Sequence, residues 1–294
     1  MLAIAQAGQQ FHYLSWTPTT TKPVLNGCGV KSYEKSDLSS PEFFKSLFGE
    51  LIEKFKLSTP RIYVTLDMDS VHISETQIPQ NTDFDTFQDW LVGTNYDSDF
   101  INRFETFYYP FEPKVSKSLN IHFPTSIKKA IIKSTKFHNA ELRFLSLGIF
   151  SAESSLRSIY NSEKIENYIV WRIGQYNQND ILWIRKNKLL SYIRFKNVNS
   201  VFKLQNFYGC SKSTDKILNQ LEKCNKSDYS EFNISNKVFI YSNNNQSIEL
   251  ENIVSANPNH FLNIDISKKI KFNTKKQNPF IFAETGIAFK GFDV

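Results

Sequence analysis

Cysteine is scarce in this sequence. Cys28, Cys210 and Cys224 are three in 294 residues, an odd number without C-x-x-C spacing, which argues against both a disulfide framework and a zinc knuckle and suits a reducing compartment. Long apolar runs are missing too. No segment approaches the roughly 18 residues of a membrane span, and the N-terminus has no charged stretch followed by the apolar core of a signal peptide. A cytoplasmic protein is therefore expected, without direct membrane insertion, any membrane contact being made through a partner. Although the net charge is +6, no block of Lys or Arg exceeds two residues and both signs are interspersed. The richest stretch, SKKIKFNTKK, alternates lysine with apolar residues and reads as a solvated strand and turn, so nucleic acid is not an expected partner. The five histidines, His12, His72, His122, His138 and His260, follow no metal-binding spacing, and no G-x-S-x-G elbow is present.

What the sequence has in quantity is aromatic surface: 26 Phe and 13 Tyr within a 40% hydrophobic composition, enough to offset chain entropy over one or two cores. Residues 2–33 predict three short strands, LAIAQ, FHYLSWT and VLNGCGVKSY. PEFFKSLFGELIEKFK predicts a helix with Ser40 as N-cap and Pro41 in its first position, burying Phe44, Leu47, Phe48, Leu51, Ile52 and Phe55 on one face. In RIYVTLDMDSVHISETQI, Asp67-Met68-Asp69 reads as the turn of a hairpin rather than as a DxD metal site. A short helix is expected at NTDFDTFQDWL, strands at FETFYYPFE and SLNIHF, and a helix at TSIKKAIIKSTKF capped by Thr125 or Ser126. ELRFLSLGIF, nearly continuous in apolar residues, predicts a buried central strand. After the helix SAESSLRSIY the pattern restarts: NYIVWRIG, DILWIRKN and KLLSYIRFKN repeat the opening meander, so the chain reads as two duplicated lobes. A helix at TDKILNQLEKC, a strand at KVFIYSNN, a helix at SIELENIV and an apolar helix at NPFIFAETGIAFKGF complete it. Trp90, Trp171 and Trp183 read as core residues.

Four stretches resemble the actin-like superfamily of sugar kinases and Hsp70-type ATPases, and within it the PilM-like pilus assembly proteins and FtsA. LAIAQAGQQFHYLSW is similar to the first phosphate hairpin, in which a strand ends in Asp-x-Gly. YIVWRIGQYNQNDILWIRKNKLLSYIRF is similar to the second, KVFIYSNNNQSIELENIV to the strand, glycine pair and helix that hold the nucleoside, and FAETGIAFKG to the closing helix, with Ala283, Gly286 and Ala288 small enough for tight packing. The resemblance implies an α/β, two-lobed actin-like fold, ribonuclease H-like and duplicated, with an inserted α+β subdomain in lobe I. It places the lobe I core at 1–38 and 141–166, the PilM/FtsA-like insertion at 39–140, lobe II at 167–277 and the closing helix at 278–294. Residues 197–236 leave little room for a full upper subdomain on lobe II.

ATP chemistry in that fold needs glycine for close phosphate approach and carboxylates that hold Mg²⁺. In this alignment the first Asp position falls on Ala5, with Gly8 retained. The second falls on Arg172, followed by Gly174, and the glycine pair becomes Asn243 and Asn244. A guanidinium opposes a metal cation by about 4 kcal/mol per unit charge pair at ~4 Å and an effective dielectric of ~20. Arg172 is expected in a surface or lobe-cleft ion pair, with an anion ligand as the other reading. No cofactor is therefore expected, neither ATP nor Mg²⁺, and the chain reads as a non-catalytic scaffold or adaptor. By the resemblance, its protein partner is a short cytoplasmic tail of an inner-membrane assembly protein. A divergent ATPase or kinase with rearranged loops is the alternative.

Overall fold

A computed structural model describes residues 1–19, 22–79, 82, 87, 97–160, 165–198, 201–223, 229–232, 234, 236–243, 247–266, 271–272 and 283–289. They divide into two compact units, residues 1–70, 124–162 and 264–294 in one, and 71–123 and 163–263 in the other. The expected helix at NTDFDTFQDWL lies outside the described residues, apart from buried Phe87, and so does Trp90.

The first unit is built on a six-stranded sheet. Strands β1 (Leu2–Ala7), β2 (Gln10–Thr17) and β3 (Val24–Ser32) form an antiparallel meander. Helix α1 (Pro41–Lys54) then carries the chain back so that β4 (Arg61–Leu66) pairs parallel to β1. The Ser40 hydroxyl accepts the Phe43 N–H at 3.4 Å, with Pro41 opening the helix, and Phe44, Leu47, Phe48 and Leu51 are buried. β1 is buried along its whole length, as a central strand covered on both faces must be.

Helix α3 (Thr125–Phe137) returns the chain to β8 (Glu141–Leu147), which pairs parallel to β4 at the edge of the sheet, and helix α4 (Gly148–Tyr160) follows. The N-cap of α3 is Pro124, which offers no side-chain acceptor, rather than Thr125 or Ser126. β8 is also not the buried central strand expected. Most of it is exposed or half-buried, because Glu141 and Arg143 put charges on it and the fully apolar end of ELRFLSLGIF belongs to α4. Helices α1 and α3 are tied by Ser134 Oγ donating to the Pro41 carbonyl at 2.8 Å.

The second unit repeats the plan. β9 (Asn167–Ile173), β10 (Gln178–Arg185) and β11 (Lys188–Val198) form the meander, helix α5 (Ser211–Lys223) crosses back, and β13 (Lys237–Ser242) pairs parallel to β9. Helix α6 (Ser247–Ala256) then leads to β14 (Phe261–Asn263), parallel to β13. The sheet orders β3-β2-β1-β4-β8 and β11-β10-β9-β13-β14 are the same path walked twice. Each sheet has one further strand beside its meander. In the first unit it is β15 (Lys271–Phe272), the described part of SKKIKFNTKK, and in the second it is β12 (Val201–Gly209). Trp171 and Trp183 are buried in the second unit's apolar core.

The insertion is narrower than residues 39–140. α1, β4 and α3 belong to the first unit, because β4 must lie between β1 and β8 to complete that sheet. What is inserted is a separate three-stranded sheet of β5 (His72–Gln77), β7 (Lys117–Pro124) and β6 (Phe104–Pro110), with the short helix α2 (Ser98–Arg103). It enters from the chain of the first lobe yet packs with the second unit. The Tyr208 hydroxyl donates to the Ile73 carbonyl at 2.9 Å, and the Glu112 N–H donates to the Leu189 carbonyl at 2.7 Å. Gly209, at φ +95°, lies so close to Leu190 and Phe111 that an added Cβ would stand 2.5 Å from the Leu190 carbonyl oxygen.

Candidate functional site

The first turn joins β1 to β2 through Gly8, which adopts φ 57°. Ala5 does not face this turn. Its methyl lies with that of Ala7 on the opposite side of β1, and the strand alternation instead turns Gln6 toward the loop. Gln6 stands two residues before Gly8, so the Asp-x-Gly position is Gln6, one residue later than expected. Its Oε1 accepts the Asp67 N–H at 3.1 Å and the Ser70 hydroxyl at 2.9 Å, while Nε2 donates to the Gly8 carbonyl at 3.3 Å. The Tyr33 hydroxyl also donates to that carbonyl, and burial raises its phenol so that it keeps its proton.

Asp67 completes this cluster. It is not in a hairpin turn: β4 pairs with β1 and β8, whereas β5 pairs with β7 in a different sheet. Asp67 is buried at the end of β4, and its Oδ2 accepts the Gly8 N–H at 3.1 Å. Asp69 is exposed, and its own N–H donates to Asp67 Oδ1. The two carboxylates do not converge as a DxD pair would.

The second turn joins β9 to β10. Arg172, Asp180 and Arg194 are directly opposite one another on three adjacent strands, so their side chains share one face. Arg172 Nη1 donates to Asp180 Oδ2 at 2.8 Å; Arg194 Nε donates to Asp180 Oδ1 at 2.8 Å, and the Tyr192 hydroxyl donates to the same oxygen at 2.6 Å. Arg172 is 2% exposed and Asp180 is 0% exposed, so this is an interior ion cluster rather than a surface pair. Burial by itself would raise the Asp180 carboxyl, but the Arg194 and Arg172 guanidiniums and the hydrogen bonds to its oxygens hold it below the usual aspartate value. Burial and the adjacent carboxylate push the Tyr192 phenol well up.

The third loop meets the second here. Asn243, the first residue after β13, is fully buried, and with its amide oxygen facing the guanidinium it accepts from Arg172 Nε at 3.1 Å and from Nη2. Its N–H donates to the Ile173 carbonyl at 3.0 Å. Gly174 is needed because an added Cβ would sit 2.8 Å from the Gln178 carbonyl oxygen and 3.0 Å from Arg172 Nη1. Asn244 lies outside the described residues.

The structure therefore brings Arg172, Gly174 and Asn243 together and leaves Ala5 out, while Gly8 stays at its turn. Two correspondences appear that sequence reading missed. Asp67 follows β4 as Asn243 follows β13, and each contacts the turn beside its own central strand. Gln6 stands where Arg172 stands in the second unit, each two residues before a glycine. Their signals were present: Gln6-Ala7-Gly8 matches Arg172-Ile173-Gly174 in spacing, and Asp180 is an acidic residue immediately before the apolar run ILWI of its strand. Chemically, the first turn offers one carboxylate that already accepts a backbone N–H, and the second is a cluster of two cations and one anion. Among the described residues no group of three His, Cys, Asp or Glu side chains is placed to hold a metal ion.

No protein-family model matches the chain, and neither does any curated protein. Solved structures do. PilM in the PilM–PilN type IV pilus biogenesis complex superposes with a TM-score of 0.62 at 10% identity, over 98% of this chain and 96% of that one. Weaker superpositions are found with a Bacteroides thetaiotaomicron protein of actin-like ATPase fold (TM-score 0.45, 13% identity, 89% of each chain) and with the cytoplasmic domain of EpsL, an inner-membrane component of the Vibrio cholerae type II secretion system (TM-score 0.46, 8% identity, 100% of this chain and 94% of that one). The fold is the two-lobed, duplicated actin-like fold, similar to that of PilM, with an α+β insertion in the chain of the first lobe.

Proposed function

We propose that this chain is a PilM-like assembly protein that binds a protein partner as a scaffold and does not hydrolyse ATP. The observation that supports this reading is the buried Arg172–Asp180 pair capped by Asn243. The resemblance places a metal-holding carboxylate and a nucleoside-holding glycine pair at the two loops from which Arg172 and Asn243 come. Here those positions are spent on one another. A guanidinium repels Mg²⁺, and the desolvated carboxylate that neutralises it has no remaining charge to offer a metal. At the first turn, the Gly8 N–H is already donated to Asp67 rather than left open for a phosphate.

The neighbour PilM is seen in complex with PilN, which supports a protein ligand for this chain as well. In a cytoplasmic setting that ligand is the tail of an inner-membrane assembly protein, and no helix among the described residues is long and apolar enough to cross a membrane. Asp67 supports the second reading, a divergent nucleotide-binding ATPase, since it supplies a buried carboxylate beside the first turn. Isothermal titration of the full chain with Mg-ATP decides between them. The scaffold reading expects a Kd weaker than about 1 mM, equivalent to less than about 4 kcal/mol of binding. A micromolar Kd with release of phosphate would overturn it.

A further inference from the structure

The strand beside the second meander has no counterpart in the chemistry of the loops. β12 is the outermost strand of its sheet, nine residues long, with no described strand paired beyond it; only its C-terminal end meets the inserted sheet, where the Gly209 N–H donates to Glu75 Oε2 and the Tyr208 hydroxyl to the Ile73 carbonyl. Long edge strands are normally blunted by charge, by proline or by cover, because their free N–H and C=O groups template another chain. β12 carries one lysine and a bulge between Leu204 and Asn206, yet it exposes Val201 (53%), Leu204 (41%) and Phe207 (43%). Its lysine, Lys203, lies directly opposite Lys196 of β11, and neither has a carboxylate within ion-pair distance among the described residues. Like charges directly opposite one another oppose pairing. An anion held between them removes that cost.

We infer that β12 is a docking edge for an extended, acidic segment of a partner protein, which adds as a further strand, sets a carboxylate against Lys196 and Lys203, and lays apolar side chains on Leu204 and Phe207. The charges argue against a second copy of this chain as the occupant. β12 has no Asp or Glu, so pairing of β12 with itself sets none of its own carboxylates against Lys196 or Lys203, on a chain whose net charge is already +6. The edge lies in the second unit and does not depend on whether either nucleotide turn is empty, so its failure and the failure of the scaffold reading are separate results.

The test uses the full chain and two capped nine-residue peptides, one alternating Glu with Val and the other Lys with Val. Binding is followed by fluorescence anisotropy and by amide hydrogen exchange. The expected result is preferential binding of the acidic peptide with exchange protection confined to residues 201–208. Lys203→Glu should weaken that binding about threefold to tenfold and favour the basic peptide. Lys203→Gln, which removes charge without inverting it, should fall between, and Leu204→Thr should weaken both peptides. Equal affinity for the two peptides, protection elsewhere in the chain, or dimerisation through β12 without peptide would each overturn the inference.

Discussion

Replacing Asp180 by alanine removes the one anion between two guanidiniums. In the folded protein Arg172, 2% exposed, and Arg194 both lose the carboxylate they donate to. Breaking a buried ion pair by removing one partner costs about 3–5 kcal/mol. At a urea m-value of about 2 kcal/mol/M this moves the unfolding midpoint down by roughly 1.5–2.5 M. Arg172→Ala should cost less, because Asp180 retains Arg194 and the Tyr192 hydroxyl and its charge stays compensated. Urea titration followed by tryptophan fluorescence reads both variants, since Trp171 Nε1 donates to Asn179 Oδ1 immediately beside Asp180. The pH dependence has a definite sign. Asp180 titrates lower folded than its ordinary 3.8, so its contribution is complete above that value and is lost as pH falls through the folded pKa. The gap between wild type and Asp180→Ala should be flat from pH 5 to 8, roughly, and close only on further acidification. A loss under about 1 kcal/mol for Asp180→Ala, or a larger loss for Arg172→Ala, would refute the account of a cluster organised around its anion.

Two further predictions concern other parts of the fold. His122 is buried in the small sheet between Ser74 Oγ and Thr106 Oγ1, each 2.8 Å from a ring nitrogen, with the His72 ring stacked at 5.5 Å. Burial, and then His72, lower it to about 4. A histidine held neutral in this way contributes stability above its unfolded value of 6.5, and the contribution declines as pH drops from there to about 4. The difference is at most about 3 kcal/mol before solvent screening reduces it. An NMR titration placing His122 near 6.5 would contradict this, and His122→Asn should flatten the acid side of the stability profile. The second prediction is Gly286→Val. An added Cβ there would meet Ser155 Oγ at 2.1 Å, so the substitution should free the closing 3₁₀ turn (Ala283–Phe289) from α4 and expose it to limited proteolysis, while Ala283→Gly should leave it protected.

The duplication was legible because each strand of the meanders carries its own apolar signature, and LAIAQ, NYIVWRIG and KVFIYS can be read without knowing their neighbours. The helix at 41–54 was legible for the same reason, its cap and its buried face both being local. Partnership between strands was not. Nothing local in RIYVTLDMDSVHISETQI says that its two strands enter different sheets, so Asp67 was read as part of a hairpin turn when it is a buried acceptor for Gly8. The small sheet was likewise assigned to the lobe that supplies its chain, whereas its packing with β11 and β12 rests on main-chain and side-chain bonds between residues more than 70 apart in sequence, such as Glu112 N–H to the Leu189 carbonyl and Tyr208 to Ile73. At the site itself, the spacing that puts Arg172 two residues before Gly174 puts Gln6, not Ala5, two residues before Gly8. A slip of one in a strand exchanges the two faces.

The two turns fill the position two residues before their glycine in different ways. In the first unit a neutral Gln6 occupies it, and the carboxylate comes from the neighbouring strand end, where Asp67 takes the Gly8 N–H. In the second a cation occupies it, the compensating anion comes from across the hairpin as Asp180, and the neighbouring strand end supplies a neutral amide, Asn243. These turns match in position but not in charge, and each is hydrogen-bonded within its own unit, where the residue after the neighbouring parallel strand contacts the turn or the strand that leads into it. The surfaces free to diverge for binding then lie elsewhere: on the inserted sheet, and on the exposed edge at β12.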